Sequence, residues 1–163
     1  MTFTKIDIDT WDRKEYFLHY YHNVRCTYSV TANIDITEIY RSVKENNLRL
    51  YPTLIWWIAN TVNHFEFLRF NHDADGNVGF YDVVNPSFTF MPPDSEKFHV
   101  LWCRYEADFH DFYDRCLEIM DTCDICRETA LTFPLCRGLS SLLSISTYLL
   151  PVHICRQSLP PVS

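Results

Sequence analysis

Trp11-Asp12-Arg13-Lys14-Glu15-Tyr16-Phe17-Leu18-His19-Tyr20-Tyr21, followed by Cys26-Thr27-Tyr28-Ser29-Val30-Thr31-Ala32-Asn33-Ile34, changes period in mid-course. In the first run Asp12 and Glu15 stand at capping-box spacing, and Tyr16, Phe17, Tyr20 and Tyr21 recur at helical spacing. This predicts a helix over 12–22 whose buried face is aromatic. In the second run Cys26, Tyr28, Val30, Ala32 and Ile34 alternate with Thr27, Ser29, Thr31 and Asn33, which predicts a strand with one apolar face.

The same change of period continues downstream. Asp35 and Glu38 repeat the capping-box spacing ahead of Ile36, Ile39, Tyr40 and Val43, predicting a second helix that ends near Lys44 to Asn47. Pro52 suits the first turn of a third helix through Leu54, Ile55, Ile58 and Val62, apolar nearly all round and therefore buried. Asp75-Gly76 is a hairpin-closing pair, and two or three strands are expected between Phe67 and Phe90. Phe109, Phe112, Tyr113, Cys116, Leu117 and Met120 define a fourth, amphipathic helix, with Glu106 and Asp108 near its positive N-terminal end. Helices alternating with strands in this way argue for an α/β sandwich.

Composition sets the outer bounds. A chain of 163 residues, 47% hydrophobic and 16% aromatic, suits a single ordinary core. Fourteen basic against 21 acidic residues give a formal charge of -7, which repels a phosphate backbone, and no basic cluster offsets it, so nucleic acid is not an expected partner. Met1 to Asp12 lacks a basic-then-apolar export signal, and a cytoplasmic location is expected. Leu131 to Val152 carries Arg137, two prolines and several serines, which argues against a membrane span. Seven cysteines without a secreted spacing pattern are expected to be reduced thiols. After Glu128 no Asp or Glu occurs, and Leu, Ser, Cys, Arg and Pro dominate without a sustained period, so the character of the chain changes near 122–135.

Several motifs in fixed order resemble the chloramphenicol acetyltransferase family. They are Ile6-Asp7, Trp11 to Phe17, His19-Tyr20, Cys26 to Ser29, Ile34 to Thr37, Leu50-Tyr51-Pro52, Asp75-Gly76, Tyr81-Asp82, Phe98 with Leu101-Trp102, and Asp108-Phe109 with Phe112. The Trp11 to Tyr20 segment favours these antibiotic enzymes over the acyltransferase cores of 2-oxo acid dehydrogenase complexes. The resemblance implies a two-layer α/β sandwich with a mixed β-sheet, truncated here, and a homotrimer with active sites between subunits. It implies acetyl transfer from acetyl-coenzyme A to a hydroxyl of chloramphenicol, with no metal. It further implies a histidine base near neutral pKa to activate that hydroxyl and a serine hydroxyl to stabilise the tetrahedral oxyanion. Carried over by position, Tyr20, Val24, Cys26 and Tyr28 match residues lining the drug pocket, and Arg13 matches the arginine that pairs with the aspartate of the catalytic motif. Without the resemblance, Arg13 reads as a solvated helix charge and the other four as helix-strand core contacts.

One departure bears on activity. The family's catalytic signature, two histidines followed by three residues and Asp-Gly, occurs nowhere in the chain, and neither does its Pro-Trp-x-Ser-Phe segment. His153 is the one histidine in the region where the family keeps its base, but no Asp-Gly follows it. The expected organisation is an acetyltransferase-like domain over 1–121 and a divergent tail over 122–163. The tail reads as a coding sequence that left its frame near residue 125, or as a junction to unrelated sequence. Cys123 and Cys126 form a lone C-x-x-C, with Cys116, Cys136, His153 and Cys155 as further candidate ligands, but tetrahedral zinc wants a second close pair and none is present. The other histidines, His19, His22, His64, His72, His99 and His110, read as surface or packing residues, and three glycines leave no phosphate-cradling loop.

Overall fold

The computed structural model describes residues 2–24, 30–93, 96 and 99–123. Strand β1 (Phe3–Lys5) leads to helix α1 (Lys14–Leu18), which loosens into a π-helical segment, His19–Val24. Helices α2 (Thr37–Glu45) and α3 (Leu50–His64) follow, then a 3₁₀ turn, Glu66–Arg69. Strands β2 (Phe70–His72), β3 (Val78–Tyr81), β4 (Ser87–Phe90) and β5 (His99–Trp102) precede helix α4 (Phe109–Thr122). The pairings are antiparallel and form two small sheets, one ordered β1-β3-β2 and the other β4-β5.

The helices start where short polar side chains replace missing backbone partners. Asp108 caps α4 by accepting the amides of His110 (2.8 Å) and Asp111 (3.0 Å), satisfying two of the donors that a helix start leaves over. Asp35 accepts the Thr37 amide and hydroxyl at the start of α2, while Glu38 turns to Arg41 (2.6 Å) and does not complete a capping box. At α3 the Arg49 amide, just outside the helix, donates to the Tyr113 hydroxyl at 2.7 Å, tying the start of α3 to α4. Pro52 lies buried in the first turn of α3, where a missing N–H costs nothing.

The β2-β3 turn is built around Asp73, whose carboxylate accepts the Asp75 amide and both the amide and side-chain nitrogen of Asn77. Gly76 takes φ +80°, the left-handed conformation open to glycine at little cost. Within β3, Gly79 sits against β1 so closely that a Cβ there would collide with the Thr4 carbonyl and come within 2.7 Å of the Phe3 ring.

The core lies where α3 and α4 pack on one face of the β4-β5 hairpin. Ile55, Phe88, Cys103, Phe112, Cys116 and Met120 are buried together, flanked by Tyr51, Trp56, Phe90, Leu101 and Ile119. Asn63 pins the segment before β4 to the end of α3. Its side-chain nitrogen donates to the Ala59 and Val84 carbonyls and its oxygen accepts the Val84 amide, each at 2.9 Å.

Two expectations are corrected. The strand predicted over residues 26–34 is absent from its described part: residues 30–36 form no strand, and Val30 and Ile34 are 78% and 64% exposed. Alternation marks an apolar face but supplies no pairing partner, and none of the described strands pairs with this segment. The helix predicted over 12–22 begins at Lys14 without a side-chain cap, and none of its residues is buried. Asp9, not Glu15, is the carboxylate engaged there, 2.6 Å from Lys14.

Candidate functional site

The aromatic residues of α1 and its π-helical continuation divide between two flanks. On the inner flank Phe17 stacks on Tyr21 at 5.1 Å and meets Trp11 at 5.6 Å, while Tyr21 stacks on the His72 ring at 4.9 Å. Trp11 and Phe17 both reach Phe70, at 5.8 and 6.1 Å. Phe70 and His72 share one face of β2, as the two-residue period of a strand requires, so this ladder of rings seats the helix on the first sheet.

On the other flank Tyr16, Tyr20 and Val24, spaced by four, are all more than half exposed, as Tyr21 also is (51%) despite its stacking. The change from α to π geometry begins at His19, one residue before Tyr20, and rotates the later side chains relative to a continuous α-helix. Tyr20 is braced edge-on by the His19 ring at 5.1 Å. Of the four residues matched to the drug pocket, Tyr20 and Val24 therefore lie on one open flank, while Cys26 and Tyr28 fall outside the described residues. An exposed phenol beside an aliphatic side chain suits a ligand with an aromatic ring and polar substituents.

Arg13 stands just before α1, exposed, with its carbonyl accepting the Phe17 amide. No hydrogen bond or ion pair joins its guanidinium to another described residue. His153 lies outside the described residues, as does Cys126 of the C-x-x-C pair. Among the described residues no three His, Cys, Asp or Glu side chains gather as a metal site. No described helix is long and apolar enough to cross a membrane.

His72, read from the sequence as a surface or packing histidine, packs within this aromatic ladder. Its Nε2 is buried without a partner among the described residues, as are Asn71 Nδ2 and Arg69 Nε. The signal was its spacing of two from Phe70, directly before the Asp73 turn. Cys103 and Cys116, in contrast, are fully buried core thiols. The hydrogen bond between them, followed by burial, pushes the Cys116 thiol up, and the same bond holds Cys103 down. Enclosure in the core keeps both away from solvent reagents.

Comparison with known proteins gives this geometry its context. A family model described as chloramphenicol acetyltransferase matches residues 1–150. A chloramphenicol acetyltransferase of Clostridium perfringens is 47% identical over 118 residues, covering 72% of this chain and 54% of the relative. One from Clostridium butyricum is 44% identical over the same coverage, and one from Staphylococcus aureus is 40% identical over 114 residues, 70% of this chain and 54% of its own length. A solved chloramphenicol acetyltransferase superposes with a TM-score of 0.68 at 24% identity, covering 74% of this chain and 56% of that one, which shows a shared fold. The chain thus spans about half the length of the curated relatives it matches. A match over residues 1–150, joined to identities of this size, establishes that the chain belongs to the chloramphenicol acetyltransferase family.

Proposed function

We propose that the chain is a chloramphenicol O-acetyltransferase by lineage, built to move acetyl from acetyl-coenzyme A to a chloramphenicol hydroxyl and so confer antibiotic resistance. These 163 residues turn over weakly or not at all. The family match over residues 1–150 carries the lineage. The open Tyr20 and Val24 flank supports a drug-binding role, with Cys26 and Tyr28 assigned to the same pocket. The reading includes the family's two-layer sandwich with a mixed sheet, a homotrimer and a cytoplasmic location. It also divides the chain into an acetyltransferase-like part over 1–121 and a divergent part over 122–163.

The chemistry explains the low turnover. The drug hydroxyl must lose a proton to a base as its oxygen attacks the thioester carbon, and the tetrahedral oxyanion must be held until the coenzyme A thiolate leaves. The two-histidine motif that serves as base in the family is absent from this sequence, and so is the serine segment that holds the oxyanion. Arg13 is then left without the aspartate it would pair with.

The absent motif favours a second reading, a non-catalytic remnant that binds drug or associates with complete subunits. Thiol release from acetyl-coenzyme A, with and without chloramphenicol, tests turnover beside the Clostridium perfringens relative. Equilibrium dialysis with labelled chloramphenicol tests binding. The expected result is little or no drug-dependent release, with binding that Tyr20→Ala weakens. Release matching the complete relative overturns the low turnover and sends the search for a base to His153. Absence of binding by folded protein overturns the pocket assignment.

A further inference from the structure

Cys103 and Cys116 form a pair that neither acetyl transfer nor the drug pocket uses. Cys103 directly follows β5, and Cys116 lies midway along α4. Both are free thiols, 0% exposed, and both belong to the buried cluster that joins α3, α4 and the hairpin. Each is held by its own element: the Cys103 amide donates to the Pro86 carbonyl at 3.2 Å, and Cys116 sits inside the α4 backbone. A hydrogen bond joins the two side chains, and the Cys103 Sγ also lies 3.5 Å from the Arg104 carbonyl. Sulfurs held in hydrogen-bond contact are close to the spacing that a disulfide requires.

The surroundings give the two sulfurs different roles. Arg104 and Arg115 each stand 3.6 Å from Glu106, a cluster with one cation in excess. At Cys103 the hydrogen bond with Cys116 favours the thiolate, burial opposes it, and the Arg115 charge assists it more than Glu106 resists. The same hydrogen bond, and then burial, keep Cys116 a thiol. A cationic neighbour is the usual means of activating a cysteine, so Cys103 is the attacking sulfur and Cys116 the resolving one.

The structure assigns Cys103 and Cys116 as a latent dithiol latch, which hydrogen peroxide closes into a disulfide between the end of β5 and α4. The Cys103 thiolate attacks one peroxide oxygen, the O–O bond breaks and hydroxide leaves, giving a sulfenic acid. The Cys116 sulfur then attacks the Cys103 sulfur, the S–O bond breaks, and the hydroxyl departs with the Cys116 proton as water. The sulfur pair loses two electrons, and one peroxide becomes two waters once the proton released by Cys103 meets the hydroxide. Because the core encloses both sulfurs, peroxide enters only when α4 opens locally, so closure records an opening and then opposes the next. Joining residues 103 and 116 also removes freedom from the unfolded chain, which raises stability.

The test exposes the reduced 163-residue chain to hydrogen peroxide, without urea and at a urea concentration below the unfolding midpoint, and then blocks remaining thiols with iodoacetamide. Trypsin releases Cys103 within residues 98–104 and Cys116 within residues 116–127. The second peptide also holds Cys123 and Cys126, so tandem mass spectrometry assigns the linked sulfur. The expected product joins the two peptides through Cys103 and Cys116, two hydrogens lighter than the reduced pair, and dithiothreitol reverses it. It should form faster in the low urea, and the oxidised chain should show a urea midpoint higher by about 1 M. In Cys116→Ser the reaction should stop at a Cys103 sulfenic acid that dimedone traps, while the mapping of the unaltered chain decides the matter if that variant does not fold. Both thiols still open to iodoacetamide under both conditions overturn the inference. Cys103 linked to Cys123 or Cys126, or driven on to sulfinic acid, overturns the pairing. A Cys103–Cys116 link without a rise in the midpoint overturns the latch.

Discussion

Truncating Phe112 to alanine removes a ring that is 0% exposed from the one place where α3, α4 and the β4-β5 hairpin meet. Its neighbours in that cluster include Ile55 on α3, Phe88 on β4 and Cys116 one turn further along α4. No single side chain can move in to fill the space, because each is anchored by a different element. The lost transfer energy and the residual cavity together cost about 3–5 kcal/mol for a buried phenylalanine. With an m-value of about 2 kcal/mol/M for a small domain, that moves the urea midpoint down by roughly 2 M. Phe67→Ala supplies the matched control, since the same ring there is 69% exposed and its loss should change stability by under about 0.5 kcal/mol. Urea titration followed by far-ultraviolet circular dichroism measures both. Equal shifts for Phe112→Ala and Phe67→Ala would refute the placement of the core, whatever their absolute size.

Other perturbations follow from the same structure. Asp108→Ala removes the cap from two amides of α4 and should cost about 1 kcal/mol, whereas Asp108→Asn, which keeps an acceptor, should cost less; thermal melts compare them. Gly79→Ala forces a Cβ into the Thr4 carbonyl and the Phe3 ring, and should destabilise by roughly 1–3 kcal/mol in the same melts. Asp35 is held below the usual carboxylate range first by the Thr37 hydroxyl and then by the Thr37 amide, and Asp73 first by the Asn77 side chain. A carboxyl depressed in the folded state binds its proton later than in the unfolded chain. Its stabilisation is therefore present above about pH 4 and lost as pH falls further. Melting temperature should drop on acidification through that window, and the double variant Asp35→Asn, Asp73→Asn should drop less steeply; an equal slope would contradict the assignment.

Legibility in the sequence followed the source of each signal. Helix α4 is readable because Phe112, Tyr113, Cys116 and Met120 are one buried stripe and Asp108 is its cap, both purely local patterns. The Asp75-Gly76 turn is readable for the same reason, since Gly76 needs a positive φ. Strand β1 is not foreseen, because three residues are too few to show a period and its pairing with β3 reaches across about 75 positions. Strand β5 lies outside the stretch where strands are expected, although Leu101-Trp102 stands out as a motif. The aromatic residues of 12–22 mislead in the opposite sense. Their spacing reveals a helix, but Tyr16 and Tyr20 are exposed, and periodicity cannot distinguish a face turned to the core from one kept for a ligand or another chain. For the site, Tyr20 and Val24 come from family position alone, whereas the spacing of His72 from Phe70 marks a shared strand face but not the Tyr21 ring that β2 brings against it.

The amide of Asn63 acts as a surrogate peptide group, donating twice and accepting once where no strand runs. That leaves the junction between two elements resting on one side-chain amide. Deamidation to aspartate would exchange both donors for a carboxylate oxygen facing the Ala59 and Val84 carbonyls, so that the rivet between α3 and the approach to β4 would become a point of repulsion. The change would be felt at the approach to β4, while the hairpin itself stays seated on α3 through Tyr51, Ile55 and Phe88.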